Sequence, residues 1–290
     1  MRNELTYLSI QALHQEKGYS IFSLCEMGNV NRSAYYNWLR RKESFREQEN
    51  RGILLEISAL QKKYNGILGV RRMTMYLNKK RKKRLNRKRI HRIMRLFGLL
   101  SVIRRKRPKY QRTRPEMTAG NILNREFTAG SINEKWLTDV TEFKYGSGQK
   151  AYLSAILDLK DRRIVAYVLG HSNNNSLVFQ TMDAAIARNP GAKPLLHSDR
   201  GFQYTSRVFW SKLNAAGITQ SMSRVGRCID NGPMEGFWGI LKTEMYYRQK
   251  FHSFGQLKEA IDTYIQFYNT ERLQERLDCC SPMEYHLLHS

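Results

Sequence analysis

The sequence predicts an α/β chain in two parts, an all-helical, helix-turn-helix-type basic region followed by a domain built on a mixed sheet. Charge is the first observation behind this division. The 290 residues hold 50 Lys/Arg against 25 Asp/Glu, a net +25, and residues 1–115 alone carry 30 of the basic residues and 7 of the acidic ones. The second is that apolar residues recur at helical spacing as far as about residue 100. The third is that after Trp136 the pattern changes to short β-branched and aromatic runs separated by helical stretches. The length suits about two domains, and a hydrophobic content of 41% is enough for a packed core.

Several classes are disfavoured at once. No apolar run approaches the length needed to cross a bilayer, and the N-terminus lacks a signal-like apolar region, so the expectation is a cytoplasmic protein without membrane contact. The cysteines, Cys25, Cys228, Cys279 and Cys280, form no CxxC pair and are too few for a disulfide scaffold. No GxGxxG or P-loop occurs, which leaves nucleotide cofactors unsupported. Between Glu56 and Glu116 there is no acidic residue at all. A merely solvated face would mix both signs, so this half reads as a surface for a polyanion, nucleic acid above all.

The first helical stretch carries Leu5, Leu8, Ile10 and Leu13, then Ile21, Phe22, Leu24 and Cys25. Gly28-Asn29 breaks it, and Asn31 or Ser33 can cap a following helix through Leu39, the outline of a helix-turn-helix. A second helical unit begins with a helix through Ile53, Leu54, Ile57, Leu60 and Tyr64. After Gly66 and Gly69 comes a shorter one with Val70, Met73 and Leu77, and then the run Lys79–Arg84. Asn86 is the expected cap of a third helix, which sets Ile90, Ile93, Met94 and Phe97 on one side and Lys88, Arg89, Arg92 and Arg95 on the other until Gly98 ends it. An apolar side that packs and a basic side that faces outward suit a helix lying against phosphates. The expected divisions are 1–50 (helix-turn-helix-like), 51–103 (a second helical, basic DNA-binding module), 104–125 (a basic linker) and 126–290 (the mixed-sheet domain).

In that last part, Trp136–Phe143 reads as a strand. Ala151–Leu159 and Arg163–Leu169 form a hairpin around Lys160-Asp161-Arg162, apolar on both faces and therefore expected in the middle of a sheet. A helix over Ser176–Arg188, a short strand over Pro194–Ser198, a helix over Ser206–Ala216 and a strand over Ile218–Met222 follow. A last helix starts near Pro233 and runs toward Tyr247. Three carboxylates stand out. Asp139 alternates with Leu137, Thr141 and Phe143 on one strand face, where a lone charge is costly unless compensated. Asp199 directly follows a buried strand, and Glu235 lies in the first turn of its helix. Each has an ordinary explanation: a turn cap, an Asx-turn, and a favourable helix dipole.

Together these residues resemble something known. Thr138-Asp139-Val140-Thr141-Glu142-Phe143, His197-Ser198-Asp199-Arg200-Gly201 with Gln203–Ser206, and Asp230-Asn231-Gly232-Pro233-Met234-Glu235 match the integrase-like DDE transposases of bacterial insertion sequences. Thirty-five residues separate Asp199 from Glu235, the spacing characteristic of that group. The likeness is strongest to the second-frame product (OrfB) of the insertion-sequence family numbered three. It extends to Ser221–Arg224, Leu241–Glu244, Tyr268-Asn269, Arg272 and Ser281-Pro282. In the basic half it covers Gly69, Arg71, Arg72, Asn86, Arg89, Arg92, Met94 and Gly98-Leu99.

The resemblance implies an RNase H-like catalytic domain with Asp139, Asp199 and Glu235 as catalytic, metal-binding residues. Hard oxygen ligands suit Mg²⁺, with Mn²⁺ as a substitute, and two ions would serve an in-line phosphoryl transfer. The implied function is metal-dependent DNA cleavage and strand transfer in transposition, with water and then a DNA 3′-OH as nucleophile. Lys242, two turns after Glu235 on the same helix face, is expected to contact terminal DNA, and Arg71, Arg72, Lys88, Arg89, Arg92 and Arg95 to bind DNA as well. Glu142 reads as a supporting acid, His197 as a satisfied strand-end histidine, and Trp136 and Trp238 as packing residues. Implied partners are element ends and target DNA, further copies of the chain on DNA, and a first-frame (OrfA) product or fusion; the chain itself shows no sustained heptads. Two other classes stay open at this point: a non-catalytic DNA-binding regulator or decayed transposase, and a structure-specific nuclease on the same fold.

Overall fold

The computed structural model describes residues 3–42, 44–79, 81, 84–103, 120–224 and 228–290. Lys80, Lys82 and Lys83 of the basic run, and residues 104–119 of the expected linker, lie outside them, as does the side chain of Cys228. The chain divides into two compact units, Met1–Glu56 and Ile57–Ser290.

In the first unit, helix α1 (Glu4–Lys17) ends at Gly18, whose φ of 70° suits a residue without a Cβ. Helix α2 (Ile21–Met27) is capped by Ser20, and α3 (Arg32–Leu39) by Asn31, whose side chain accepts from the Ser33 N–H at 2.8 Å. Tyr7, Ile10, Leu24, Cys25 and Tyr35 form their shared core. Helix α4 (Phe45–Lys63) crosses the division at Glu56.

The second unit opens with the end of α4, then α5 (Val70–Lys79) and α6 (Arg87–Leu96). Asn86 caps α6 by accepting from Lys88 N–H at 2.8 Å, and Gly98 follows its end at φ 65°. Gln61 ties the loops together, donating to the carbonyls of Leu68 at 3.1 Å and Leu99 at 2.7 Å. Ile90, Ile93 and Met94 are buried as their spacing requires. Phe97, placed with them by periodicity, is instead exposed, because α6 has already ended at Leu96.

The sheet is five-stranded, in the order β3-β2-β1-β4-β5. Strands β1 (Lys135–Tyr145), β2 (Gln149–Asp158) and β3 (Ile164–Gly170) are antiparallel neighbours. After helix α7 (Asn175–Arg188), β4 (Leu195–Ser198) returns parallel to β1. Helix α8 (Arg207–Ala215) then leads to β5 (Thr219–Met222), parallel to β4. Helices α9 (Gly232–Glu244), α10 (Phe254–Thr270) and α11 (Pro282–His289) complete the chain. This is the expected mixed RNase H-like sheet, with one correction. The β2–β3 hairpin is not central: β3 is an edge strand and β1 holds the middle. β3 is apolar nonetheless, since α7 packs on one of its faces and α10 meets the other.

Two cores result. Leu137, Phe143, Leu153 and Leu157 face α9 and α10, meeting Phe237, Leu241, Ile261 and Ile265. Trp136, Ile156, Val165 and Leu196 face α7 and α8, meeting Val178, Met182, Phe209 and Leu213. The helix expected toward Tyr247 stops at Glu244, and a separate 3-10 turn spans Tyr246–Arg248. Helices α10 and α11 were not read from the sequence, although Leu257, Ile261, Tyr264, Ile265 and Tyr268 have amphipathic helical spacing and are all buried.

Candidate active site

The three carboxylates reach one region from three elements. Asp139 is in the middle of the central strand, with Ala155 as its β2 partner. β1 and β4 pair only as far as Leu137 and His197, so Asp139 lies where β1 runs on past the end of β4. Asp199 follows β4 directly, and its Oδ1 accepts from the Gly201 N–H at 2.9 Å, closing the Asx-type turn that the sequence allowed. Glu235 occupies the first turn of α9, which begins with Gly232-Pro233.

Electrostatics join them. Burial first, then the nearby charge of Asp199 and, more weakly, of Glu235 together push the Asp139 carboxyl up to about 7. Asp199 is exposed as a residue yet loses enough hydration to the surrounding protein that its carboxyl is raised too, as is the half-buried Glu235 carboxyl. Among the described residues none of the three forms a salt bridge, whereas Asp230, Asp161 and Glu244 all do. Nor, among those residues, are three or more His, Cys, Asp or Glu side chains gathered tightly enough to enclose one ion. The arrangement is therefore an open group of acids with no salt bridge among the described residues.

Several neighbours hold it in place. Trp238 of α9 donates its indole N–H to Asp139 Oδ2 at 2.9 Å, so this tryptophan does more than pack. Lys242, one turn further along α9, is half-buried with its Nζ 5.2 Å from the centre of the Phe143 ring. Burial lowers its ammonium, while Asp139 and Glu142 act to keep it charged. Tyr204 lies beneath the carboxylates, fully buried, with its hydroxyl 3.3 Å from Thr138 Oγ1. Burial, then Asp139 and Asp199, raise that hydroxyl well above its ordinary value. Asn231, also buried, donates to the Thr138 carbonyl at 3.2 Å and keeps an unpartnered Oδ1.

Other sequence expectations fall into place around this centre. His197 is enclosed between the hydroxyls of Ser221 at 2.9 Å and Ser223 at 3.1 Å, and burial lowers its imidazole to about 4. It is a neutral, satisfied histidine. Glu142 pairs across strands with Lys150 at 3.0 Å. Trp136 packs in the core while donating to Asp158 at 3.1 Å. Lys88, Arg92 and Arg95 project from α6 into solvent, with Arg89 half-buried among them and Arg71 exposed beside Glu275. Arg72, expected among the DNA-binding residues, is turned toward the catalytic domain. Its side chain is only 19% exposed, and its guanidinium lies 2.8 Å from the buried Glu244 carboxylate.

The role of Asp230 was missed. Fully buried, it accepts from Arg125 Nε at 2.6 Å and from the Arg224 backbone N–H and Nε, both at 3.0 Å. Burial would raise its carboxyl, but these hydrogen bonds hold it well below the usual range. The acid thus fixes the turn that leads into Glu235. A charged residue five positions before a site acid, followed by Asn-Gly-Pro, was the available signal.

A mixed sheet in this order, with acids at the end of β4, on β1 and on the helix that follows β5, defines a polynucleotidyl transferase with an integrase-type core. Comparison with known families agrees. Two integrase core domain models match residues 131–228 and 235–287, and an HTH-like domain model matches residues 47–107. The chain is 46% identical over 204 residues to an uncharacterised transposase-like protein of Haemophilus influenzae, covering 70% of this chain and 93% of that one. It is 36% identical over 268 residues to the putative transposase InsK for insertion sequence element IS150 of Escherichia coli, covering 92% and 93%. The identity is 27% over 281 residues to the transposase InsF for insertion sequence IS3A of the same organism, covering 94% and 95%. The chain belongs to the insertion-sequence transposases of the IS3 family.

Proposed function

We propose that Asp139, Asp199 and Glu235 are the catalytic carboxylates of a metal-dependent phosphoryl transfer that cuts the ends of an insertion sequence and joins them to target DNA. The observation that carries this reading is the Asp139 carboxyl, pushed up to about 7 beside two further acids with no salt-bridged cation among the described residues. Oxygen-only donors with uncompensated negative charge fit Mg²⁺ or Mn²⁺ in preference to zinc. Bound there, a pair of such ions would polarise the scissile phosphate and activate the attacking oxygen.

The chain's own residues do the rest. Asp139 is oriented by the Trp238 indole and Asp199 by the Gly201 N–H. Glu235 is brought to them by a helix start that Asp230 holds in place. Lys242 offers a cation beside the carboxylates for the terminal phosphates or bases of the element. Water is the nucleophile for cleavage and a DNA 3′-OH for joining, so no covalent enzyme intermediate is needed. Lys88, Arg92 and Arg95 of α6, together with the basic run and linker, hold the duplex backbone. The setting is the cytoplasm, with further copies of the chain and a first-frame product as partners on DNA.

Asp199→Asn tests the reading. It retains size and hydrogen-bonding capacity but removes an anionic ligand. Cleavage and strand transfer in Mg²⁺ should fall at least about a thousandfold, an expectation set by the scale of electrostatic catalysis. DNA affinity, measured on the same preparation, should hold. Parental cleavage and joining by the variant would remove Asp199 from the catalytic set.

A further inference from the structure

The helices between Ile57 and Ile103 use their cations in two ways. Lys88, Arg92 and Arg95 of α6 are turned to solvent, whereas Arg71, Arg72 and Lys79 of α5 and Lys63 at the end of α4 are turned onto acids of the catalytic domain. Lys63 Nζ is 2.7 Å from Glu271, Lys79 Nζ 2.5 Å from Glu284, and an Arg71 nitrogen 3.6 Å from Glu275. The Tyr76 hydroxyl donates to the Glu271 carbonyl, and the Tyr64 and Phe267 rings lie 5.5 Å apart. The three ion pairs are exposed and individually weak. Arg72 is different because its partner is buried.

Glu244 ends α9 and is itself almost inaccessible. Arg272 of the segment after α10 grips it with Nε at 3.0 Å and Nη2 at 2.9 Å, and the Tyr264 hydroxyl donates at 2.8 Å. Arg272 already balances the charge of Glu244. Arg72 is thus a second, largely covered cation on one carboxylate, 2.8 Å away, with its Nη1 atom buried and unpartnered. Surplus charge with an unsatisfied donor is costly to bury, so core stability does not account for this placement. What the contact does accomplish is a connection between α5 and the helix that carries Glu235. Glu235 and Glu244 are nine residues apart on α9, about 13 Å along the axis at the usual helical rise. The middle of α9 is fastened to Asp139 through Trp238, and its C-terminal end to α5 through Glu244.

We propose that Arg72 is a positioning residue: through Glu244 it sets the seat of α9, and thereby of Glu235, so that docking of the basic helices and the shape of the catalytic site are one event. The proposal rests on the reading of Glu235 as a catalytic carboxylate.

Full-length Arg72→Met and Arg72→Lys test it through three measurements: amide hydrogen exchange across residues 232–244, affinity for element-end duplex as a function of salt, and cleavage rate at saturating DNA in Mg²⁺. In Arg72→Met, exchange in α9 should speed up about tenfold and saturated cleavage should slow about tenfold. Affinity should stay within about twofold with an unchanged salt slope. Arg72→Lys should recover part of both losses, and it carries the test if the Met variant does not fold. Parental exchange in α9 would overturn the proposal. So would a weakened affinity with a shallower salt slope and an intact saturated rate, which would make Arg72 a phosphate contact. Glu235→Gln, run alongside, separates the two readings. If it cleaves normally the catalytic assignment fails, while the exchange result still reports on Arg72.

Discussion

Asp230 accepts three hydrogen bonds from Arg224, one from Arg125 and one from Asn121, all from within a fully buried position. Its folded carboxyl titrates below its unfolded value, so its contribution to stability is complete above the unfolded pKa, near 3.8, and is lost as pH falls through and below it. Asp230→Asn should therefore lower stability at pH 7 by about 3 kcal/mol, the scale for breaking a buried pair. The gap from the parent should narrow in melts taken between pH 5 and pH 3. A gap independent of pH would mean that Asp230 is not held as the anion. The three candidate acids were legible from their motifs because metal-assisted phosphoryl transfer restricts which residue types can serve there. The Asp230 anchor and the Trp238 bond to Asp139 were not, since each depends on side chains that meet only after the sheet and α9 have packed.

At the level of elements, the caps at Asn31 and Asn86 were legible because a short side chain can satisfy a free helix N–H using local geometry alone. Which basic helix faces outward was not. Both α5 and α6 have an apolar side and a basic side, and periodicity cannot say what a basic side meets. Glu244 at the end of α9, Glu275 in the segment after α10 and Glu284 on α11 decide it for α5. That leaves Lys88, Arg92 and Arg95 of α6 as exposed basic side chains. Replacing Lys88, Arg92 and Arg95 together with Ala should reduce the log–log salt slope of duplex binding by about 0.9 for each phosphate contact removed, and by more than two if all three make contact. Melting temperature should hardly change, since all three side chains are exposed. An unaltered slope would move the interface elsewhere. The central place of the hairpin was misjudged for a related reason: a strand covered on both faces by helices looks the same in sequence whether it lies inside a sheet or at its edge.

Over the whole molecule, the division of charge is sharper than the two structural units. Residues 57–115 hold 22 Lys/Arg and no Asp/Glu, while residues 1–56 hold eight against seven. The charge expected to meet DNA phosphates thus lies in the second helical module and the linker after it, and the first module, with its helix-turn-helix outline, contributes little net charge. Removing residues 1–44, which leaves α4 whole, should change the salt slope by no more than about one while altering preference among duplex sequences. A collapse of the slope would place the main phosphate contacts in the first unit.

The order of the strands also governs when the enzyme can first exist. Asp139 and Asp199 come from strands that pair only after two other strands and a helix have been made, and Glu235 arrives on a helix whose far end is satisfied by Arg272. A chain still on the ribosome with α10 inside the exit tunnel has Glu244 without its arginine and α9 without the helix it packs against. The third acid is therefore seated only when synthesis is nearly complete, and a chain truncated before that point is expected to keep its basic module while lacking DNA cleavage.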